Sequence, residues 1–241
     1  MVATFPPPYT ASSALVDRLR SEGQAVAAAA DVLAMAPGLD ALAGTWDDLP
    51  PDAFLRDGGS YRRRRHSCFL LEDDVVRQAP HRAHWQSLDY NALHGGMERM
   101  FAPMVDVVVQ APAWSSLLRA LGERFTAVRA APRWYVEAHQ FRIDTSDGIG
   151  RPTPEGAHRD GVDFVAVLLV ARVGIKGGET RVFEAGGPAG QRFTLDAPWS
   201  ALLLDDTRMI HESTPIQPQS DAGHRDTLVL TYRAGAFQGD E

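Results

Sequence analysis

Trp134-Tyr135-Val136-Glu137-Ala138-His139-Gln140-Phe141-Arg142-Ile143-Asp144 is the stretch on which the fold turns. The character of the chain changes at Pro132, and from Trp134 onward strand follows strand. Phe164–Val173, Thr180–Glu184, Arg192–Leu195, Ser200–Asp205 and Thr227–Arg233 are all expected to be extended. Gly177-Gly178, Gly186-Gly187-Pro188 and Ala197-Pro198 supply turns between them. Upstream the pattern differs. Residues from Ser12 or Ser13 to about Met35 are rich in Ala and Leu and predict one or two helices that stop before Pro37-Gly38. His84 to Met100 reads as helical, and Ala113 to Arg129 more clearly so, with Trp114, Leu117, Leu118, Leu121 and Phe125 at helical spacing. Ser60 to Leu71 reads as a strand. Helices first and short strands later predict a mainly β, α+β chain: an antiparallel sandwich or barrel buttressed by N-terminal helices. No linker composition stands out. The expectation is one domain over residues 1–241, with 1–131 a mostly helical support carrying one or two strands and 132–241 the core.

The 241 residues suffice to bury a large core without disulfides or a structural metal. A formal charge of −7 argues against a general nucleic-acid or anionic-membrane surface. Cys68, the single cysteine, suits a reducing cytoplasm. The Pro-rich start is expected to be extended, and Met1 to Tyr9 shows no signal-peptide pattern. The longest apolar run, Phe164 to Ala171, is too short to span a bilayer.

The chemistry-bearing residues are His158-Arg159-Asp160, then His211, then Arg225-Asp226-Thr227. Side chains at i and i+2 of an extended segment share a side, so His158 and Asp160 can reach one ion together. His211 follows Asp160 by 211−160 = 51 residues, room for several strands to return the chain to an opposite wall. Two imidazoles and a carboxylate, without thiolate, suit Fe(II) better than structural zinc. The pair alone is weak: 8 His and 21 Asp in 241 residues give 8×21/241, or about 0.7 such pairs by chance. A second pair does occur at His224-Arg225-Asp226, but no histidine follows it. On these residues alone, the favoured reading is that His158 and Asp160 merely pair within a loop and His211 sits at a strand end. His-Arg-Asp also occurs in kinase catalytic loops, which would require Asn where Val165 stands. Arg225, with Thr227 two places on along the same strand face, could seat a carboxylate through a guanidinium fork and a hydroxyl. It could equally form a surface ion pair.

Several segments together resemble a known family. They are Ser60-Tyr61-Arg62-Arg63-Arg64-Arg65, Tyr90-Asn91-Ala92-Leu93-His94-Gly95-Gly96, His139-Gln140-Phe141-Arg142-Ile143, Pro152-Thr153-Pro154-Glu155-Gly156-Ala157-His158-Arg159-Asp160-Gly161, Ile175-Lys176-Gly177-Gly178-Glu179-Thr180 and His224-Arg225-Asp226-Thr227-Leu228. Over about Leu49 to Tyr232 the chain resembles the Fe(II)/2-oxoglutarate-dependent dioxygenases, in particular the bacterial free amino-acid hydroxylases of the L-isoleucine 4-hydroxylase type. The resemblance implies a double-stranded β-helix, the jelly roll of cupin-like proteins. It implies Fe(II) on His158, Asp160 and His211, and 2-oxoglutarate held at its far carboxylate by Arg225, helped by Thr227. The implied activity converts 2-oxoglutarate and O2 to succinate and CO2 while hydroxylating an unactivated C–H of a small free L-amino acid, aliphatic or a cyclic imino acid. Halogenating relatives carry a small residue in place of the ligand carboxylate, so Asp160 argues for hydroxylation. The alternatives are an oxygenase of a carrier- or peptide-bound residue, or a jelly-roll binding module without turnover.

A free amino acid needs a cation for its carboxylate and acceptors for its ammonium. His139, Gln140 and Arg142 are candidates on the resemblance, although Gln140 and Arg142 share one strand face and Tyr135, Glu137 and His139 the other. Of the arginines after Tyr61, alternate members must face opposite ways. His66, His81, His84 and His94 have no ligand spacing.

Overall fold

The computed structural model describes residues 5–91, 93–219 and 221–240. The extended start expected of the chain therefore falls partly outside the described residues; within them, Tyr9 bridges Val26 in parallel. The strands are β1 (Gln24–Ala27), β2 (Arg62–Glu72), β3 (Val75–Gln78), β4 (Trp134–Asp144), β5 (Phe164–Val173), β6 (Ile175–Gly177), β7 (Thr180–Glu184), β8 (Gly190–Phe193), β9 (Ala201–Asp205), β10 (Met209–Ser213), β11 (Ile216–Pro218) and β12 (His224–Arg233). The helices are α1 (Leu15–Glu22), α2 (Ala29–Met35), α3 (Asp106–Val109) and α4 (Pro112–Val128), with 3-10 segments at Ser12–Ala14 and Leu39–Trp46.

The named strands pair antiparallel throughout. A large sheet runs β1-β9-β5-β12-β4-β2-β3, and smaller ones run β10-β7-β8 and β11-β6. Val165, Leu169, Leu202 and Leu204 of the large sheet share a core with Val182, Phe193 and Met209 of the small one. This is the mainly β architecture that the chain's later half predicts, in the jelly-roll form that the resemblance implies. Among the described residues, no helix is long and apolar enough to cross a membrane.

Period-2 alternation sorts the large sheet into two faces. On β12, Leu228, Leu230 and Tyr232 face the helices, and so do Trp134, Val136 and Ala138 on β4. The intervening Arg225, Thr227, Val229 and Thr231, with Glu137, His139, Phe141 and Ile143, line a cavity between the sheets. The helix α4 covers the outer face because Trp114, Leu117, Leu118, Leu121 and Phe125 form one buried stripe. Each such side chain contributes roughly 1.5–3 kcal/mol on burial. Phe125 stacks on Phe164 with ring centroids 4.7 Å apart, and Tyr232 donates its hydroxyl to the Leu118 carbonyl at 3.0 Å.

Two segments differ from the helical expectation. The Ala-rich start is broken by β1. Gly23 ends α1 in the left-handed region, at φ 74°, and Gln24–Ala27 then pair with Leu204–Ala201 of β9. A strand edge outcompetes helix propensity there. Residues 84–100 hold no helix among those described. His84 and Arg99 instead bridge antiparallel, each N–H donating to the other's carbonyl at 3.0 Å. The polar side chains His84, Gln86, Asn91 and Arg99 are buried toward the cavity, an environment that periodicity does not register. Residues 1–131 thus also supply β1, β2 and β3 to the large sheet.

Candidate metal centre and its cavity

His158 lies in the loop before β5 and His211 lies on β10. Their backbones bridge, with His158 N–H donating to the His211 carbonyl at 3.0 Å and the reverse bond at 2.9 Å. That pairing draws the two rings to a centroid separation of 4.7 Å. Asp160, two residues on, brings Oδ1 to 3.6 Å from His158 Nε2 and Oδ2 to 3.8 Å from His211 Nε2. One ligand atom from each of the three residues lies within 4.8 Å of the others.

The surroundings orient this set. The Nδ1–H of His158 donates to the Gly156 carbonyl at 2.9 Å, which turns Nε2, the nitrogen that can ligate, toward Asp160. Gln86 Nε2 donates to Asp160 Oδ1 at 3.2 Å. Asp206 accepts the backbone N–H groups of Asp160, Gly161 and Val162 at 3.0, 2.8 and 3.1 Å. Gln238 Nε2 donates to the Asp160 carbonyl at 2.7 Å. Gly161 turns the loop at φ 79°, where a Cβ would also collide with the Tyr90 ring.

Electrostatics follow the burial. Burial lowers the His211 pKa to about 4, and the charge of His158 adds to this. Burial also opposes protonation of His158, but its bond to Asp160 and the charges of Asp160 and Glu155 outweigh that and raise it to about 10. Burial would raise Asp160, yet His158 and His211 hold it well below the usual carboxylate range. Asp206 goes the other way, pushed up to about 7 by burial and by the Asp160 charge. Two imidazoles and an ionised carboxylate form a donor set that fits a divalent iron ion.

Arg225 and Thr227 line the same cavity. The Arg225 side chain is buried, and its Nε and Nη2 have no hydrogen-bond partner. Burial, reinforced by the neighbouring Arg172 guanidinium, lowers its pKa to about 10, so it stays cationic at neutral pH. Unpartnered guanidinium donors in a closed site fit a carboxylate in two places, as 2-oxoglutarate requires.

The three substrate candidates separate. His139 lines the cavity, whereas Gln140 and Arg142 are not among its lining residues. They sit on the helix-facing parity of β4, where Gln140 Nε2 donates to Thr45 Oγ1 at 3.0 Å and Arg142 makes a two-point pair with Asp226 at 2.8 and 2.7 Å. Gln140 and Arg142 are therefore set aside as substrate contacts, because a strand cannot present consecutive parities to one pocket. The arginine run divides likewise: Arg62 and Arg64 line the cavity, while Arg63 approaches Asp144 at 3.7 Å and Arg65 reaches the Pro103 carbonyl.

Sequence reading did not find the second titratable cluster, His66, His84, Glu137 and His139, whose ligand atoms also lie within 4.8 Å of one another. Nor did it find Gln86 or Arg99. The register carries part of the signal, since β2 sets His66 opposite His139 and Cys68 opposite Glu137, but register emerges only from the folded sheet.

The comparisons agree with this architecture. The 2OG-Fe dioxygenase family matches residues 43–231. A crystal structure of a bsmA homolog from Methylobium petroleophilum PM1 superposes with a TM-score of 0.92 at 50% identity, over 100% of both chains. IDO from Bacillus thuringiensis shares the fold at a TM-score of 0.75 and 17% identity, over 97% of this chain and 100% of its own. The Fe(II)/α-ketoglutarate-dependent dioxygenase TqaL does so at 0.69 and 18%, over 95% of this chain and 88% of its own. No curated protein matches the chain. A family match over most of the sequence, on a fold whose cavity holds the expected donor set, shows that this chain belongs to the 2OG-Fe dioxygenases, oxygenases that use Fe(II), 2-oxoglutarate and O2.

Proposed function

We propose that this oxygenase hydroxylates an unactivated C–H of a small free L-amino acid, aliphatic or a cyclic imino acid, while 2-oxoglutarate and O2 become succinate and CO2. The observation that carries the proposal is the shared cavity. It joins the His158–Asp160–His211 cluster to the unpartnered Arg225 and to a set of buried arginines and a glutamate. In this proposal His158, Asp160 and His211 hold Fe(II), and the bound iron supplies oxidative decarboxylation of the keto acid and oxygen insertion.

The remaining work falls to the chain. Arg225 grips the far carboxylate of 2-oxoglutarate through two donors, and Thr227, on the same strand face, adds a hydroxyl. His158 keeps its proton on Nδ1 against Gly156, so Nε2 can ligate. Gln86 fixes the Asp160 carboxylate from one side. Val167, Leu202 and Val229 line the cavity with apolar surface that excludes water and can pack an aliphatic side chain. The charged set supports an amphoteric substrate of small size rather than a carrier-bound one. Cys68, the single cysteine and a free thiol, supports a reducing cytoplasmic setting.

The test is a screen of the purified protein with Fe(II), 2-oxoglutarate and each free amino acid, reading succinate and a product heavier by one oxygen atom. Succinate that depends on iron and on an added amino acid supports the proposal. A product formed only from a peptide- or carrier-bound residue overturns it.

A further inference from the structure

Three further buried arginines, Arg62, Arg64 and Arg99, line the cavity, with Arg62 and Arg225 on opposite sides of Ile143 in the sheet. Arg62 is neutralised by Asp52, with Nε at 2.7 Å from Oδ2. Arg64 reaches Asp52 only at 3.9 Å. For Arg99 no ion pair occurs among the described residues; its Nη2 donates to Gln86 Oε1 at 3.0 Å. Arg62 Nη2, Arg64 Nε and Arg99 Nε are buried donors without a hydrogen-bond partner. Leaving such donors unpaired costs free energy unless a ligand satisfies them. Arg64 is also rigid: its guanidinium is sandwiched between Phe101, 3.7 Å from the ring centroid, and Phe141, at 4.4 Å.

Beside them lies Glu137, which accepts from His66 Nε2 at 2.9 Å and from His84 Nδ1 at 2.7 Å, both on Oε2. These bonds leave Oε1 uninvolved. The cluster has the residue types of a metal site, but its protons are in the wrong places. Arg64 Nη2 donates to His139 Nδ1 at 2.6 Å, so the His139 proton sits on Nε2, the atom that faces Glu137 at 4.0 Å. The nitrogens that His66 and His84 turn toward Glu137 are likewise donors. A metal would need lone pairs at those three positions, and guanidiniums stand beside it.

We propose that this group of side chains recognises an amino-acid zwitterion: the Arg64 and Arg99 guanidiniums take the α-carboxylate, and Glu137 takes the ammonium. The inference rests on the free amino-acid proposal above and assigns its two charged ends. It also gives the buried His66–His84–His139 trio a purpose, since two neutral imidazoles hold Glu137 ionised and the third holds Arg64 in place.

The experiment is anaerobic calorimetry on Mn(II)-loaded protein, titrated with 2-oxoglutarate and then with a panel of aliphatic L-amino acids, their carboxamides, and the matching 2-hydroxy acids. For the wild type, the amide is expected to bind roughly 10- to 100-fold more weakly than the acid, the range for losing a charge-assisted hydrogen bond. Arg64→Met and Arg99→Met are expected to lose amino-acid affinity by a similar factor and far more than they lose 2-oxoglutarate affinity. Glu137→Gln is expected to stop discriminating the amino acid from the 2-hydroxy acid. Amides bound as tightly as acids by the wild type, a measurement that needs no variant to fold, would overturn the assignment. If 2-oxoglutarate binds and only carboxylates lacking an ammonium follow, with the same loss in Arg99→Met, the arginine site stands while the zwitterion assignment and the free amino-acid proposal fall. If 2-oxoglutarate binds and no small carboxylate follows, the arginine site itself is refuted. Substrate turnover without the arginine dependence refutes the site while leaving the hydroxylase proposal standing.

Discussion

Gln86 and Asp160 form one unit: the Gln86 Nε2 donates to Asp160 Oδ1 at 3.2 Å, while its own Oε1 accepts from Arg99 Nη2 and Asn91 Nδ2 at 3.0 and 3.2 Å. The amide cannot flip without losing bonds at both ends, so it fixes one oxygen of the carboxylate that faces both imidazoles. Removing it should loosen the donor set without removing a donor. Gln86→Ala is expected to weaken Mn(II) or Fe(II) affinity by roughly tenfold or more, the scale on which partners behind a ligand act. Metal titration under argon, with circular dichroism as the control for folding, measures this.

Arg225 offers the keto acid its fork from a buried position. Arg225→Met is expected to raise the 2-oxoglutarate requirement by about tenfold or more through loss of a charge-assisted pair. Arg225→Lys should recover only part, because an ammonium cannot reproduce two parallel bonds. Succinate formation against 2-oxoglutarate concentration separates the variants, and an unchanged requirement in Arg225→Met would assign the cosubstrate elsewhere.

Arg142 and Asp226 belong to stability. The Asp226 side chain is only 3% exposed, so losing its partner strands a buried charge. Arg142→Met should cost about 3 kcal/mol, on the low side for a broken buried pair because Arg142 itself is partly exposed. Urea unfolding should show a loss larger than any change in the 2-oxoglutarate requirement.

Acid sensitivity follows from the buried imidazoles. Burial lowers the His84 pKa to about 4, although the Glu137 charge opposes this. Unfolded, the same group takes up its proton near its ordinary value of 6.5. Between those limits the unfolded chain binds the extra proton, so stability falls as pH drops from about 6.5 to about 4. At ~1.4 kcal/mol per pKa unit this amounts to about 3 kcal/mol by pH 4. Denaturation across that window should show a slope that flattens in His84→Gln. His158, raised to about 10, stays protonated in the metal-free fold and contributes nothing to this slope.

The strands Trp134–Asp144, Phe164–Val173 and Thr180–Glu184 fall where the sequence puts them; in Phe164–Val173 burial on both faces leaves a near-continuous apolar run. The metal set was expected through the resemblance around His158 and Asp160, since an i, i+2 pair with a distant His211 is too common to decide alone; the fold brings one ligand atom of each within 4.8 Å of the others. Strand β1 was not legible in the sequence, since Gln24–Ala27 has helix-forming alanines and becomes a strand only by pairing with β9. Residues 84–100 misled for a related reason: their polar side chains point into a cavity, and an amphipathic count treats them as a solvent face. Which parity of β4 lines that cavity could not be read, and Gln140 and Arg142 fell on the other one.

The proposed activity depends on three side chains converging on one ferrous ion next to a bound keto acid. The direct measurement is succinate and CO2 release by the reconstituted wild type and by Asp160→Ala, with Fe(II), 2-oxoglutarate and O2 supplied and iron content determined for both. Iron-dependent succinate from the wild type, lost together with bound iron in Asp160→Ala, is the expected result. Full activity in Asp160→Ala, or a fully iron-loaded wild type that never consumes 2-oxoglutarate, would contradict it.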